Sequence, residues 1–239
     1  MSGHSKWSTI KRKKGAIDAE RSKIFQKLAK ELFVAAKSGD PDPNNNPSLR
    51  MVIDKAKSAN MPNSNIERAI EKAKGSKDGE SYEAVRYEGY GPFGVAVMVD
   101  CLTDNRNRTA PMVRSAFTKK NGNLGTDGSV SYMFERKGLL LIDNSLDEDK
   151  VMEAALESGA LDFKVNDDSY EIITNSNSFF DVKKAIEDLG VTEFIASEVT
   201  FLPNNTVSLD EEQTEKVMNL IEALEDIDDV QEVYHNLDI

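Results

Sequence analysis

The chain has 239 residues, 39% hydrophobic and 30% charged, which suits a soluble globular protein of two or three domains rather than a single core. No run of 18 apolar residues occurs, so no membrane span is expected. The one cysteine, Cys101, lies in an apolar run and cannot form an internal disulfide, as in a reducing cytosol. A formal net charge of −12 speaks against a polyanionic partner, but the charge is unevenly spread: residues 1–75 carry 16 Lys+Arg against 8 Asp+Glu, and residues 76–239 carry 14 against 34. This polarity points to an anionic partner met at one end only, with the acidic remainder held away from it.

Residues 1–15, MSGHSKWSTIKRKKG, contain Lys6, Lys11, Arg12, Lys13 and Lys14, the only tryptophan (Trp7) and no carboxylate. Nothing here repeats at helix or strand spacing, so a mobile arm is expected. Basic charge with one stacking ring suits contact with a phosphate backbone; the alternative is a solvated terminal tail. No apolar stretch follows the basic residues, so this is not a secretory signal, and its charge runs straight into a helix, unlike a removable leader.

Over residues 21–37 Ile24, Phe25, Leu28, Leu32, Ala35 and Ala36 repeat as one helical face. Lys23, Lys27, Lys30 and Lys37 fall within an arc of about 80° on the other side. That face is read as continuing the electropositive surface of the arm. The DPDPNNNP run at 40–47 is a loop, a second helix spans 48–59, and Ser64 with Glu67 predicts a capping box opening a third. The third helix turns Glu67, Arg68, Glu71, Lys72 and Lys74 outward. Two carboxylates there make it a poor reader of a major groove, despite the tight turn before it.

After a linker at 75–79 the pattern changes to strands and capped helices. Strands are expected at 82–87, 95–102 and 130–134, with a helix over 109–120 capped by Thr109. From 138 to 203 the order is strand, helix, hairpin, helix, strand, the split βαβ or ferredoxin-like arrangement. A helix opened by Ser208 and Glu211 and a strand at 230–234 remain. They complete the unit begun at 76–137, which makes that domain discontinuous. The expected fold is α+β: a three-helix domain (1–75), then two ferredoxin-like α/β domains, one (138–203) inserted in the other (76–137 with 204–239).

The GYGPFG run at 89–94 matches G-x-G-x-x-G, but a strand rather than a helix follows, so a hairpin turn is favoured over a nucleotide site. Arg106 and Arg108 precede the helix N-terminus expected at Thr109, where cations are disfavoured unless an anion lies between. A phosphate or an internal carboxylate such as Asp104 meets that need. The NGNLG run at 121–125 follows the same helix. His4 and His235 lie near the chain ends, and neither C-x-x-C, H-E-x-x-H nor a Walker A motif occurs. No catalytic residue, cofactor, metal or small-molecule substrate is therefore expected.

MSGHSKW, IKRKKGAIDAERSKIFQKLAKE, GYGPFGVAV, TDNRNRT, NGNLGTDGSVSYMF and the acidic end together resemble the YebC/PmpR family over essentially the whole chain. The resemblance implies a cytoplasmic protein with an N-terminal helical domain and two α/β domains. Bacterial members carry the label of probable transcriptional regulators that bind DNA, while the mitochondrial branch and some bacterial members act on the ribosome. With no transit segment before MSGHSKW, a bacterial member is expected. Phe93 and Asn121 stand where many relatives have glycine, which affects loop shape. The expected function is a non-enzymatic regulator of gene expression that holds DNA or ribosomal RNA through Lys6, Trp7, Lys11, Arg12, Lys13, Lys14, Lys23, Lys27 and Lys30. Arg106 and Arg108 would form a second contact. A protein-interaction adaptor using the acidic domains is the alternative of another class.

Overall fold

In the computed structural model, which describes residues 18–76 and 81–238, three helices come first: α1 (Asp18–Ser38), α2 (Pro47–Ser58) and α3 (Asn63–Gly75). Leu28, Leu32, Ala35 and Ala36 of α1 are buried against Leu49 and Ala56 of α2 and Ile66, Ala69 and Ala73 of α3. Asn46 joins two of these helices. Its Oδ1 accepts from Leu49 N (3.0 Å) to cap α2, and its Nδ2 donates to the carbonyls of Ala35 and Asp40 (both 2.8 Å). The capping box expected at Ser64 does not form. The helix begins at Asn63 behind Pro62, which leaves Ser64 inside the first turn.

Two four-stranded antiparallel sheets follow. The first contains β1 (Glu83–Tyr90), β2 (Ala96–Thr103), β3 (Asn123–Leu124) and β9 (Val230–His235), in the order β3-β1-β2-β9. Helices α4 (Arg106–Lys119) and α7 (Glu211–Glu225) cover one face, where Val97, Val99 and Cys101 meet Val113 and Phe117 of α4 and Val217, Leu220, Ile221 and Leu224 of α7. The opposite face of β2 buries Ala96 and Met98 against Val130, Phe134 and Phe201. Burial on both faces is why β2 reads as a continuous apolar run.

The second sheet is built from β4 (Phe134–Asp143), β5 (Ala160–Val165), β6 (Ser169–Asn175) and β7 (Ala196–Pro203), with α5 (Glu148–Glu157) and α6 (Phe179–Asp188) between them. Its order, β5-β6-β4-β7, is that of the split βαβ arrangement. Leu140, Ile142, Tyr170 and Ile172 pack under Val151 and Ala155 of α5 and Phe179, Val182 and Ile186 of α6. The chain leaves the first sheet after β3, completes the second, and returns through β8 (Val207–Ser208) and α7 to β9. A last strand, β10 (Leu237–Asp238), runs parallel to β8.

Several local expectations shift by a few residues. The strand expected at 130–134 is a 3-10 turn, Ser131–Met133, and the edge of the first sheet is β3 instead. The N-caps of α5 and α7 are Asp147 and Asp210, not Ser145 and Ser208. In each case an aspartate two residues after the serine accepts from the third backbone N–H, and a carboxylate there also answers the helix dipole.

Gly138 marks a close approach. A Cβ there would collide with Thr174 Oγ1 and lie 2.7 Å from Cδ2 of the buried Phe179. Gly138→Ala is therefore expected to destabilise the protein by about 1–3 kcal/mol in denaturant melts. Gly75→Ala, where a Cβ meets nothing within 4 Å, should leave stability unchanged or slightly raised.

Candidate nucleic-acid interface

The lysine face of α1 forms as its spacing predicts, but it is turned toward the body. Lys23 Nζ lies 2.9 Å from Asp226 Oδ1, Lys27 Nζ donates to the Glu225 carbonyl at 2.6 Å, and Lys30 Nζ donates to the Asp228 carbonyl at 2.9 Å. These partners form the C-terminal turn of α7 and the link to β9. A helix ends with unpaired carbonyls and a partial negative charge, and α7 has no basic residue in its last turn. The cations that answer that end come from α1, about 200 residues away in sequence.

Asp229 is the centre of this contact. Its carboxylate accepts from Lys30 Nζ (3.1 Å), Arg108 (2.7 Å), Thr109 Oγ1 (2.8 Å) and Thr103 Oγ1 (3.3 Å). Burial pushes its pKa up, but the hydrogen bonds from Arg108, Thr109 and Lys30 outweigh burial and leave it below the usual carboxylate range. With its side chain 6% exposed, Asp229 forms a shielded pair with Lys30, unlike the open Lys23–Asp226 pair, which contributes little.

The arginines expected to hold a second phosphate also meet carboxylates, Arg108 within this network and Arg106 outside it. Helix α4 begins at Arg106, capped by Asn105 Oδ1 accepting from Arg108 N, three residues before the expected cap. Thr109 lies inside the helix, fully buried, and both arginines fall in the first turn. Arg106 pairs with Glu83 at 3.0 Å, and Arg108 bridges Asp104 (2.8 Å) and Asp229. Each arginine at this helix start thus has an internal carboxylate beside it.

Lys6, Trp7, Lys11, Arg12, Lys13 and Lys14 lie outside the described residues. The outward positions of α3 are as expected: Glu67, Arg68, Glu71, Lys72 and Lys74 are exposed, and Lys74 pairs with Glu71.

Elsewhere the chemistry is sparse. The GYGPFG run forms the β1–β2 turn, with Gly91 N donating to Val95 O and strand β2 following directly. Cys101 is buried, and desolvation pushes its thiol up to about 12, far from a thiolate at neutral pH. His235 pairs with Val97 and Cys101 with Val230, so the two sit at opposite ends of the β2–β9 ladder. A cleft of about 510 Å³ lies where α2 and the two sheets meet. Lys55 in it is held by Glu31 (3.0 Å) and Glu232 (3.4 Å), and Arg86 by Asp100 (2.6 Å), with Glu198 beside them. Carboxylates outnumber cations there, which does not suit a phosphate. Among the described residues no cluster of three His, Cys, Asp or Glu side chains could hold a metal, and no helix is long and apolar enough to cross a membrane.

Comparison with known proteins places this architecture. The sequence model of the TACO1/YebC protein N-terminal domain matches residues 5–76, and that of the TACO1/YebC second and third domain matches residues 82–237. The chain belongs to the TACO1/YebC family. A probable transcriptional regulatory protein of Geobacillus kaustophilus is 57% identical over 241 residues, covering 100% of this chain and 98% of that one. The probable transcriptional regulatory protein YrbC of Bacillus subtilis is 53% identical over 99% of both chains. The crystal structure of a conserved hypothetical protein, Aq1575, of Aquifex aeolicus superposes with a TM-score of 0.83 at 47% identity, over 93% of this chain and 92% of that one. The two TACO1/YebC matches meet between residues 76 and 82, where helices give way to sheets.

Asp229 went unnoticed in the sequence because it is one of many carboxylates in an acidic run, EDIDDVQE. Its one signal is position, immediately before a strand and after an uncapped helix end. Asp229→Asn is expected to cost about 1.5–3 kcal/mol at neutral pH. Because the folded-state pKa is lowered, this contribution is complete above the unfolded value of about 3.9 and is lost as pH falls through the folded value. Denaturant melts should therefore show the two proteins converging in acid. Lys30→Met should cost less in the Asp229→Asn background than alone; additive losses would mean that the lysine and the carboxylate do not act as a pair.

Proposed function

We propose that the protein is a non-enzymatic, cytoplasmic regulator of gene expression that holds nucleic acid through its basic N-terminal segment, with transcription as its field and DNA as its partner. The observation that carries this reading is the division of charge. Five cations and no carboxylate occupy residues 1–15, ahead of a body in which 34 carboxylates face 14 cations over residues 76–239. Lys27 and Lys30 fix α1 to the body, and Lys23 adds an open pair with Asp226. In this reading Lys6, Lys11, Arg12, Lys13 and Lys14 meet phosphates, and Trp7 supplies a stacking ring. The curated relatives carry the name of probable transcriptional regulatory proteins, which supports the transcriptional side.

A second reading, a ribosome-associated translation factor contacting ribosomal RNA, is favoured by Trp7 and by the mixed-sign outer face of α3. A ring that stacks on unpaired bases and a helix unsuited to the major groove fit RNA better than duplex DNA. Crosslinking in cells followed by sequencing of the bound nucleic acid separates the two: promoter DNA supports the first, ribosomal RNA the second.

Replacing Lys11, Arg12, Lys13 and Lys14 with alanine should weaken binding about equally across sequences. It should also flatten the salt dependence by about 0.7–0.9 in log–log slope per lost phosphate contact. An unchanged slope would remove the segment from the mechanism.

A further inference from the structure

Residues 105–134 hold Arg106, Arg108, Arg114, Lys119 and Lys120 against a single carboxylate, Asp127, within the acidic body. The two arginines at the start of α4 are matched internally. Arg114, Lys119 and Lys120, toward its other end, form no ion pair with a described residue, and Arg114 and Lys119 are exposed. Two lysines at a helix C-terminus are favoured by its dipole, but that accounts neither for Arg114 nor for the ring beside them.

That ring is Phe93, at the tip of the β1–β2 turn, 46% exposed and in the left-handed region at φ 60°. A bulky side chain rarely adopts this conformation, and here burial does not reward it. The loops bearing Phe93 and Lys120 converge. Asn123 pairs with Tyr90, a Cβ on Gly122 would meet Tyr90 O at 2.8 Å and Leu220 Cδ2 at 3.3 Å, and a Cβ on Gly91 would meet the same Leu220 atom at 3.1 Å. Only glycine permits this approach. Asn121 and Asn123, both exposed, add amides on the loop that follows Lys120. The following loop is fixed by the buried Glu88, whose carboxylate accepts from the backbone N–H groups of Gly128 (3.0 Å), Val130 (2.9 Å) and Ser131 (2.7 Å).

We infer that this end of the first sheet is a second nucleic-acid surface, one that takes unpaired nucleotides. Phe93 stacks on a base, Asn121 and Asn123 meet base edges or sugar, and Arg114, Lys119 and Lys120 hold the phosphates. An exposed ring beside single-signed cations is what a single strand requires, whereas a duplex offers no free base face. The inference rests on the nucleic-acid reading above and assigns it a surface distinct from the N-terminal segment.

The test measures fluorescence anisotropy of the full chain with a short labelled single-stranded RNA, the DNA strand of the same sequence, and the DNA duplex, each over a salt series. Arg114→Gln with Lys119→Gln and Lys120→Gln should weaken single-strand binding at least about tenfold and lower the salt slope by about 2. Phe93→Asn, which tolerates the left-handed backbone, should weaken single-strand binding about tenfold at unchanged slope and leave duplex binding as it was. A preference of the wild type for RNA or for single-stranded DNA identifies the source, and either supports the surface. If both variants bind like wild type while the Lys11–Lys14 alanine variant does not, this surface is overturned and the N-terminal reading stands. If the wild type binds none of the three probes, both fall together.

Discussion

The structure depends on how the C-terminal end of α7 is satisfied. That helix ends in a carbonyl-rich turn followed by Asp226, Asp228 and Asp229, with no cation of its own nearby in sequence. Left alone, its dipole and the carboxylates would repel one another. Lys27 and Lys30 of α1 donate to the carbonyls of Glu225 and Asp228, and Lys30 also reaches Asp229, which Arg108 approaches from α4. One end of one helix thus joins the helical unit to the first sheet. The attraction is stronger than a surface ion pair because Asp229 is shielded and multiply hydrogen-bonded.

This constraint separates what could be read in the sequence from what could not. Helix and strand periods are local, so α1 with its buried Leu28 and Leu32, the doubly buried β2 and the split βαβ order of β4–β7 were all legible. Caps were displaced where serine and aspartate stood two residues apart, as at Ser145 and Asp147, because either side chain can accept the same N–H. Charge was harder. A lysine stripe on a helix has the same sequence signature whether it meets phosphate, water or another part of the chain, and only tertiary contact shows that Lys30 faces Asp229. Arg108 had the same ambiguity; in the fold it bridges Asp104 and Asp229. Glu88, which orders the 128–131 loop through three backbone N–H groups, carried no sequence signal because it sits in a strand like any other exposed-looking carboxylate.

The distribution of unmatched cations then acquires a meaning that net charge hides. Within the described part of the acidic body, most basic side chains of the sheets and their helices are matched: Arg86 with Asp100, Lys164 with Glu171, Lys183 with Asp54, Lys216 with Glu212. A cation matched by a carboxylate a few ångströms away presents little field to solvent beyond a Debye length. A long-range attraction for a polyanion must come from cations without such partners. Among the described residues of the first sheet and its helices, such cations gather toward the end of α4.

Anchoring α1 fixes the helical unit against the first sheet through this contact. With α1 clamped by Lys27 and Lys30, the end of α7 and Asp229 have their cationic partners within the chain. Asp229, which looks like part of an undifferentiated acidic tail, is therefore a structural partner of a lysine 199 residues before it in the chain. The lysines of α1 thus act within the chain, neutralising carbonyls and carboxylates at the end of α7 and on the link to β9.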